Sequence, residues 1–76
     1  MTNYAKLRGL MVERGVEVSK LASILGISRQ AMSEKLNGRS KISLLDAQNI
    51  AVALSMTKDE RDAIFFSELV KSEATS

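Results

Sequence analysis

The 76 residues include no cysteine, histidine, proline or tryptophan, and only 4% of them are aromatic. Without cysteine no disulfide framework can form, so nothing argues for secretion and a reducing interior is the expectation. The missing thiols and imidazoles exclude the usual zinc sites, and no metal or cofactor is expected. No cluster of carboxylates and no glycine-rich phosphate cradle stands in for them. No nucleophile–base pair can be assembled, which argues against an enzyme. No run of about 18 apolar residues could span a bilayer, and no charged-then-apolar signal segment opens the chain. A cytoplasmic protein is the expectation.

What is present suits one small domain over residues 1–76, because an apolar fraction of 45% is ample for a single core. The net charge of +2 conceals a division along the chain. Residues 1–41 carry eight basic against three acidic side chains, whereas residues 42–76 carry three basic against six acidic ones. A basic first half suits a polyanionic partner; the bland alternative is an ordinary solvated surface.

Apolar spacing predicts five helices, with no strand alternation long enough to compete. The first runs from Thr2 or Asn3 to Arg14, with Tyr4, Leu7, Leu10 and Met11 on one face and Gly15 ending it. The second covers roughly Val18–Leu25 and the third Arg29–Leu36, closed by Asn37-Gly38. Ser43 can cap a fourth helix reaching Leu54, with Leu44, Ala47, Ile50, Ala51 and Leu54 inward. Thr57 and Glu60 form a capping-box pattern for a fifth. A helix to about Val70 is expected there, with an extended segment from Phe66 as the alternative and a frayed tail from about residue 71.

The stretch VSKLASILGISRQAMSEKLN, Val18 to Asn37, reads as two short helices joined by a tight turn at Gly26. Leu21, Ala22 and Leu25 line one helix, Ile27 and Met32 the other, and Ala22 is small where they cross. Glycine suits a turn that needs a positive φ. Outward on the second helix, after Ser28 as its N-cap, lie Arg29, Gln30, Ser33 and Glu34.

This arrangement resembles the helix-turn-helix of the Cro and phage-repressor class, the XRE family, over roughly Leu7 to Leu54. Its most specific parts are LASILGIS, SEKLNG and IAVAL. The resemblance implies an all-α, five-helix, lambda-repressor-like DNA-binding domain with the helix-turn-helix as helices two and three. Three positions depart from the family pattern. Val18 stands where a phosphate-binding Gln is usual, with Glu17 before it in place of a Thr or Ser cap; Ser19 or Lys20 can substitute as the clamp. Met11 and Leu36 align with a frequent Arg–Glu pair, and an apolar contact there avoids a desolvation penalty. Lys35 stands where a core residue is common: either its stem lies along the core with the ammonium toward phosphate, or it is a plain surface lysine.

A recognition helix lays its first turns along base edges in the major groove of double-stranded DNA. Arg29 suits guanine and Gln30 adenine, each bidentately, and Ser33 can reach a base edge or a phosphate. Glu34 has three roles open to it: accepting from cytosine, holding Arg29 or Gln30, or facing solvent. Ser19, Lys20, Ser28, Lys35, Asn37, Arg39, Ser40, Lys41 and Ser43 are the candidate phosphate contacts, with the Ser43 N–H at a helix N-terminus. Val52, Met56 and Phe66 are more apolar than a monomer surface needs, which suggests a homodimer, while Phe65 completes the core.

A sequence-specific regulator of phage or prophage type, occupying an operator, is the leading expectation. The alternative is a protein-interaction module of the same fold, an antitoxin or antirepressor with weak DNA binding.

Overall fold

The computed structural model describes residues 2–65, which form an all-α arrangement of five helices without strands. Helix α1 spans Tyr4–Arg14, α2 Val18–Leu25, α3 Arg29–Leu36 and α4 Leu44–Ala53. A fifth, α5, is helical from 58 through 65, the last described residue. The choice between helix and extended chain from Phe66 onward, and the frayed tail, lie outside the described residues.

Side-chain caps account for most of these boundaries, because a helix start leaves backbone N–H groups without partners. Asn3 accepts from the Lys6 amide at 3.2 Å and Ser28 from the Ala31 amide at 3.1 Å. Ser43 and Asp46 exchange reciprocal bonds, each 3.1 Å, at the start of α4. Thr57 and Glu60 do the same for α5, at 2.9 and 3.1 Å. Helix α2 is the exception: Glu17 occupies its N-cap with no side-chain bond to the backbone. Gly26 ends α2 at φ 71°, the left-handed conformation that the two-helix turn requires.

Leu7, Leu21, Met32, Ile50, Leu54, Ile64 and Phe65 are fully buried and come from all five helices. Burying side chains of this size contributes about 1.5–3 kcal/mol each, whereas an exposed ion pair such as Lys58–Asp62 adds about 1 kcal/mol or less. The core, not the surface charge, holds the fold. Met11 and Leu36 are 6% and 3% exposed and belong to the same buried cluster. Helix α1 packs against α3, and α2 packs against both α3 and α4.

Two arginines of α1 reinforce that packing by reaching carbonyls that a helix end leaves free. Arg8 donates to the Leu36 carbonyl at 3.0 Å, and Arg14 to the carbonyls of Leu54 and Ser55 at 2.9 and 3.2 Å. The second Arg14 nitrogen binds the Glu60 carboxylate at 2.6 Å. Arg14 thus joins the end of α1 to the α4–α5 turn, where Ser55 has a φ of 52°.

Candidate nucleic-acid interface

Helix α3 owes its orientation to a buried stripe and an exposed one. Met32 and Leu36 anchor its inner side in the core, while Ala31 is half-buried. The opposite side carries Arg29, Gln30 and Glu34, all exposed, with Ser33 half-buried beside them. None of these four side chains is tied to another part of the chain by a described hydrogen bond or ion pair. They stand in the first two turns of the helix, on one continuous surface. Ser28 is occupied as the cap of α3, and Asn37 is exposed at its C-terminal end.

The 38–43 segment continues from that end. Its backbone is folded onto α3: the amides of Arg39 and Ser40 donate to the Glu34 carbonyl at 2.9 and 3.3 Å. Ile42 is buried, which pins the segment from below. Arg39 and Lys41 therefore remain exposed on a loop whose backbone is anchored at both ends, with Ser40 half-buried between them.

Lys35 turns inward. Its ammonium donates to the Lys41 carbonyl at 2.8 Å and pairs with the Asp46 carboxylate at 3.0 Å, with both side chains about four-fifths covered. Burial pushes the Asp46 carboxyl up, but the Lys35 ammonium and the Ser43 N–H outweigh it and hold the group below its ordinary value. Neither role left open for Lys35 describes it fully: the side chain is mostly covered, and the ammonium meets a carboxylate of its own chain. The Ser43 N–H is likewise engaged by Asp46, so the start of α4 already holds an internal anion.

On the other flank, an open trough of about 960 Å³ separates the end of α1 from the start of α2 and the outer side of α3. Ser19 and Lys20, both exposed at the first turn of α2, stand on its edge with Arg29, Ser33 and Asn37. Arg8 lines it too, and sequence reasoning passed over this residue. Its position on α1 gives no hint of a partner until the Leu36 carbonyl is seen beside it. The trough's apolar lining is formed by Met11, Val12, Val16, Val18 and Leu36, with Met11 and Leu36 buried and Val12 exposed. On α4, Val52 is 80% exposed, and Met56, after its end, packs partly on the core. Phe66 lies outside the described residues, and Phe65 is fully buried.

Two short helices crossing at a glycine turn, braced by three others and presenting a polar helix face flanked by cations, define a helix-turn-helix domain. The family model of the Cro/C1-type HTH DNA-binding domain matches residues 6–60, and the chain belongs to that family. No curated protein and no solved structure matches the chain significantly. Among the described residues, no helix is long and apolar enough to cross a membrane.

Proposed function

We propose that this DNA-binding domain is a sequence-specific transcriptional regulator of phage or prophage type, a Cro- or repressor-like protein that acts by occupying an operator. The observation that carries the proposal is the unpaired polar face of α3. Arg29 and Gln30 are exposed in its first turn, the part of a recognition helix that meets base edges. Arg29 presents two donors to guanine O6 and N7, Gln30 a donor and an acceptor to adenine, and Ser33 and Glu34 extend the contact by one turn.

Ser19, Lys20, Ser28, Asn37, Arg39, Ser40 and Lys41 are proposed to hold the flanking phosphates. Lys35 and the Ser43 amide are engaged within the protein, so they fall outside that set. Two copies, joined near Val52 and Met56, would place two recognition helices about 34 Å apart, one helical turn of DNA.

Selection of bound duplexes from a random pool, followed by titration of the best one, tests this proposal. Arg29→Ala and Gln30→Ala are each expected to cost about 1–3 kcal/mol on that duplex and to relax the preference at one base pair. Arg39→Ala or Lys41→Ala is expected to weaken all duplexes alike and reduce the slope against log salt by about one. If Arg29→Ala weakens every sequence equally, it reads no base. If no duplex is enriched at all, the operator proposal fails.

A further inference from the structure

The trough beside α3 has a chemistry that a DNA backbone does not explain. A phosphodiester needs hydrogen-bond donors, and the cations and polar groups on the trough's edge provide them. The trough's apolar side chains provide none. Val12 is 83% exposed there, although α1 has a polar side on which a lysine or glutamate would be the ordinary choice. Val16 and Val18 are half-buried on either side of Glu17, and Met11 and Leu36 close the bottom. Among the charged groups that line the trough, three are cations, Arg8, Lys20 and Arg29, and one is a carboxylate, Glu17.

An apolar lining bordered by net positive charge matches a helix with apolar residues on one side and carboxylates along the flanks. We propose that the trough docks an acidic amphipathic helix of a protein partner, and that docking covers Arg29 and withholds the chain from DNA. The partner's leucine-type side chains enter against Val12, Val16 and Val18, and its carboxylates meet Arg8, Lys20 and Arg29. Nucleic acid and partner then compete, because Ser19, Lys20, Arg29, Ser33 and Asn37 belong to both surfaces. The docking is independent of the operator proposal; the competition rests on it.

The probe is a labelled synthetic helix of about four turns with leucine at three- and four-residue spacing and glutamate elsewhere. A peptide of the same composition in scrambled order is the control. Binding is followed by fluorescence anisotropy and by amide chemical shifts of the isotope-labelled chain, without DNA. The amphipathic peptide is expected to shift Val12, Val16, Val18 and Lys20 and to bind more tightly than the scrambled one. Val12→Ser, an exposed position outside the DNA-contacting set, is expected to weaken it about fivefold while operator affinity stays within about twofold. The peptide is also expected to displace the selected operator.

Equal binding of the two peptides, shifts mapping elsewhere, or indifference to Val12→Ser overturns the docking proposal. So does a trough covered by a second copy, seen as dimer dissociation in Val12→Asp with no peptide bound. A chain that binds its operator yet ignores the peptide refutes the docking alone. A chain that binds the peptide at the trough yet enriches no duplex upholds the docking and removes its competitor.

Discussion

Gly38 illustrates how much one backbone position can constrain this small fold. It follows the C-cap of α3 with φ at 79°, and a Cβ placed there would approach the Tyr4 ring at 3.3 Å. Gly26 has a similar φ of 71° but nothing within 4 Å of the same hypothetical atom. Both positions penalise an L side chain through the left-handed backbone, by about 1–2 kcal/mol. Only Gly38 adds a steric demand on α1. Gly38→Ala is therefore expected to destabilise the chain more than Gly26→Ala, with urea midpoints as the measurement. The difference should vanish in a Tyr4→Ala background, which removes the ring. Equal costs in the parent background would mean that the Tyr4 ring yields freely. At this scale the sequence was informative about conformation and silent about neighbours: Asn37-Gly38 announced a helix stop, but not the aromatic ring across from it.

At the scale of elements, the main fact is that α3 and α4 share the hold on the outer loop: α3 grips it through the Glu34 carbonyl and Lys35, and Asp46 of α4 fixes Lys35 in turn. The carboxylate caps α4 through the Ser43 amide and receives Lys35 from α3, and the same ammonium holds the Lys41 carbonyl. A single group therefore couples the end of the base-reading helix, the basic loop and the next helix. Because the folded-state pKa of Asp46 lies below its ordinary value, its contribution is fully present above about pH 4. It is lost as pH falls through the folded value, since the unfolded chain then binds the proton first. Asp46→Asn keeps an acceptor for the Ser43 amide while removing the charge. It is expected to flatten part of the acid limb of stability below about pH 4 and to speed amide exchange at residues 39–42. An unchanged acid limb would place the linkage on other carboxylates, with Glu60 the first to examine. There the Arg14 hydrogen bond lowers the carboxyl in the same direction.

The helices themselves were legible because capping residues, glycines and apolar spacing agreed. Expected bounds for α2 and α3 coincide with the observed ones, and α4 ends one residue before the expected Leu54. The outward face of α3 was legible for the same reason, being what remains after Met32 and Leu36 turn inward. Lys35 was not, since its two roles differ only in where a flexible stem ends, and that depends on Asp46, eleven positions away. Arg8 and Arg14 were hidden by the same physics. Both bind carbonyls, which every residue offers and which no pattern of side chains marks.

For the whole molecule, charge and size set the terms of function. Eight of the eleven basic residues fall within residues 1–41, which hold the entire helix-turn-helix, while five of the six later acidic residues follow Lys58 in the sequence. Such a polarity orients the molecule toward a polyanion before contact and makes association sensitive to salt. One domain of this size reaches only a few base pairs, and discrimination against many competing sites normally requires two half-sites. The surface proposed to join two copies is on α4, away from the buried stripe. Val52 is 80% exposed and Leu45, two turns earlier on the same side, is 64% exposed. Isolated apolar residues on a surface are common, but two aligned along one helix near Met56 form the beginning of a patch. Val52→Asp places a charge there without touching the core or α3. It is expected to leave the circular dichroism and thermal midpoint nearly unchanged, and to weaken binding to an inverted repeat by about tenfold or more through loss of cooperative filling. Binding to a single half-site should be unaffected. If the parent fills both half-sites independently, or Val52→Asp binds the full repeat as tightly as the parent, the copies do not meet through α4, and recognition must rest on a single domain.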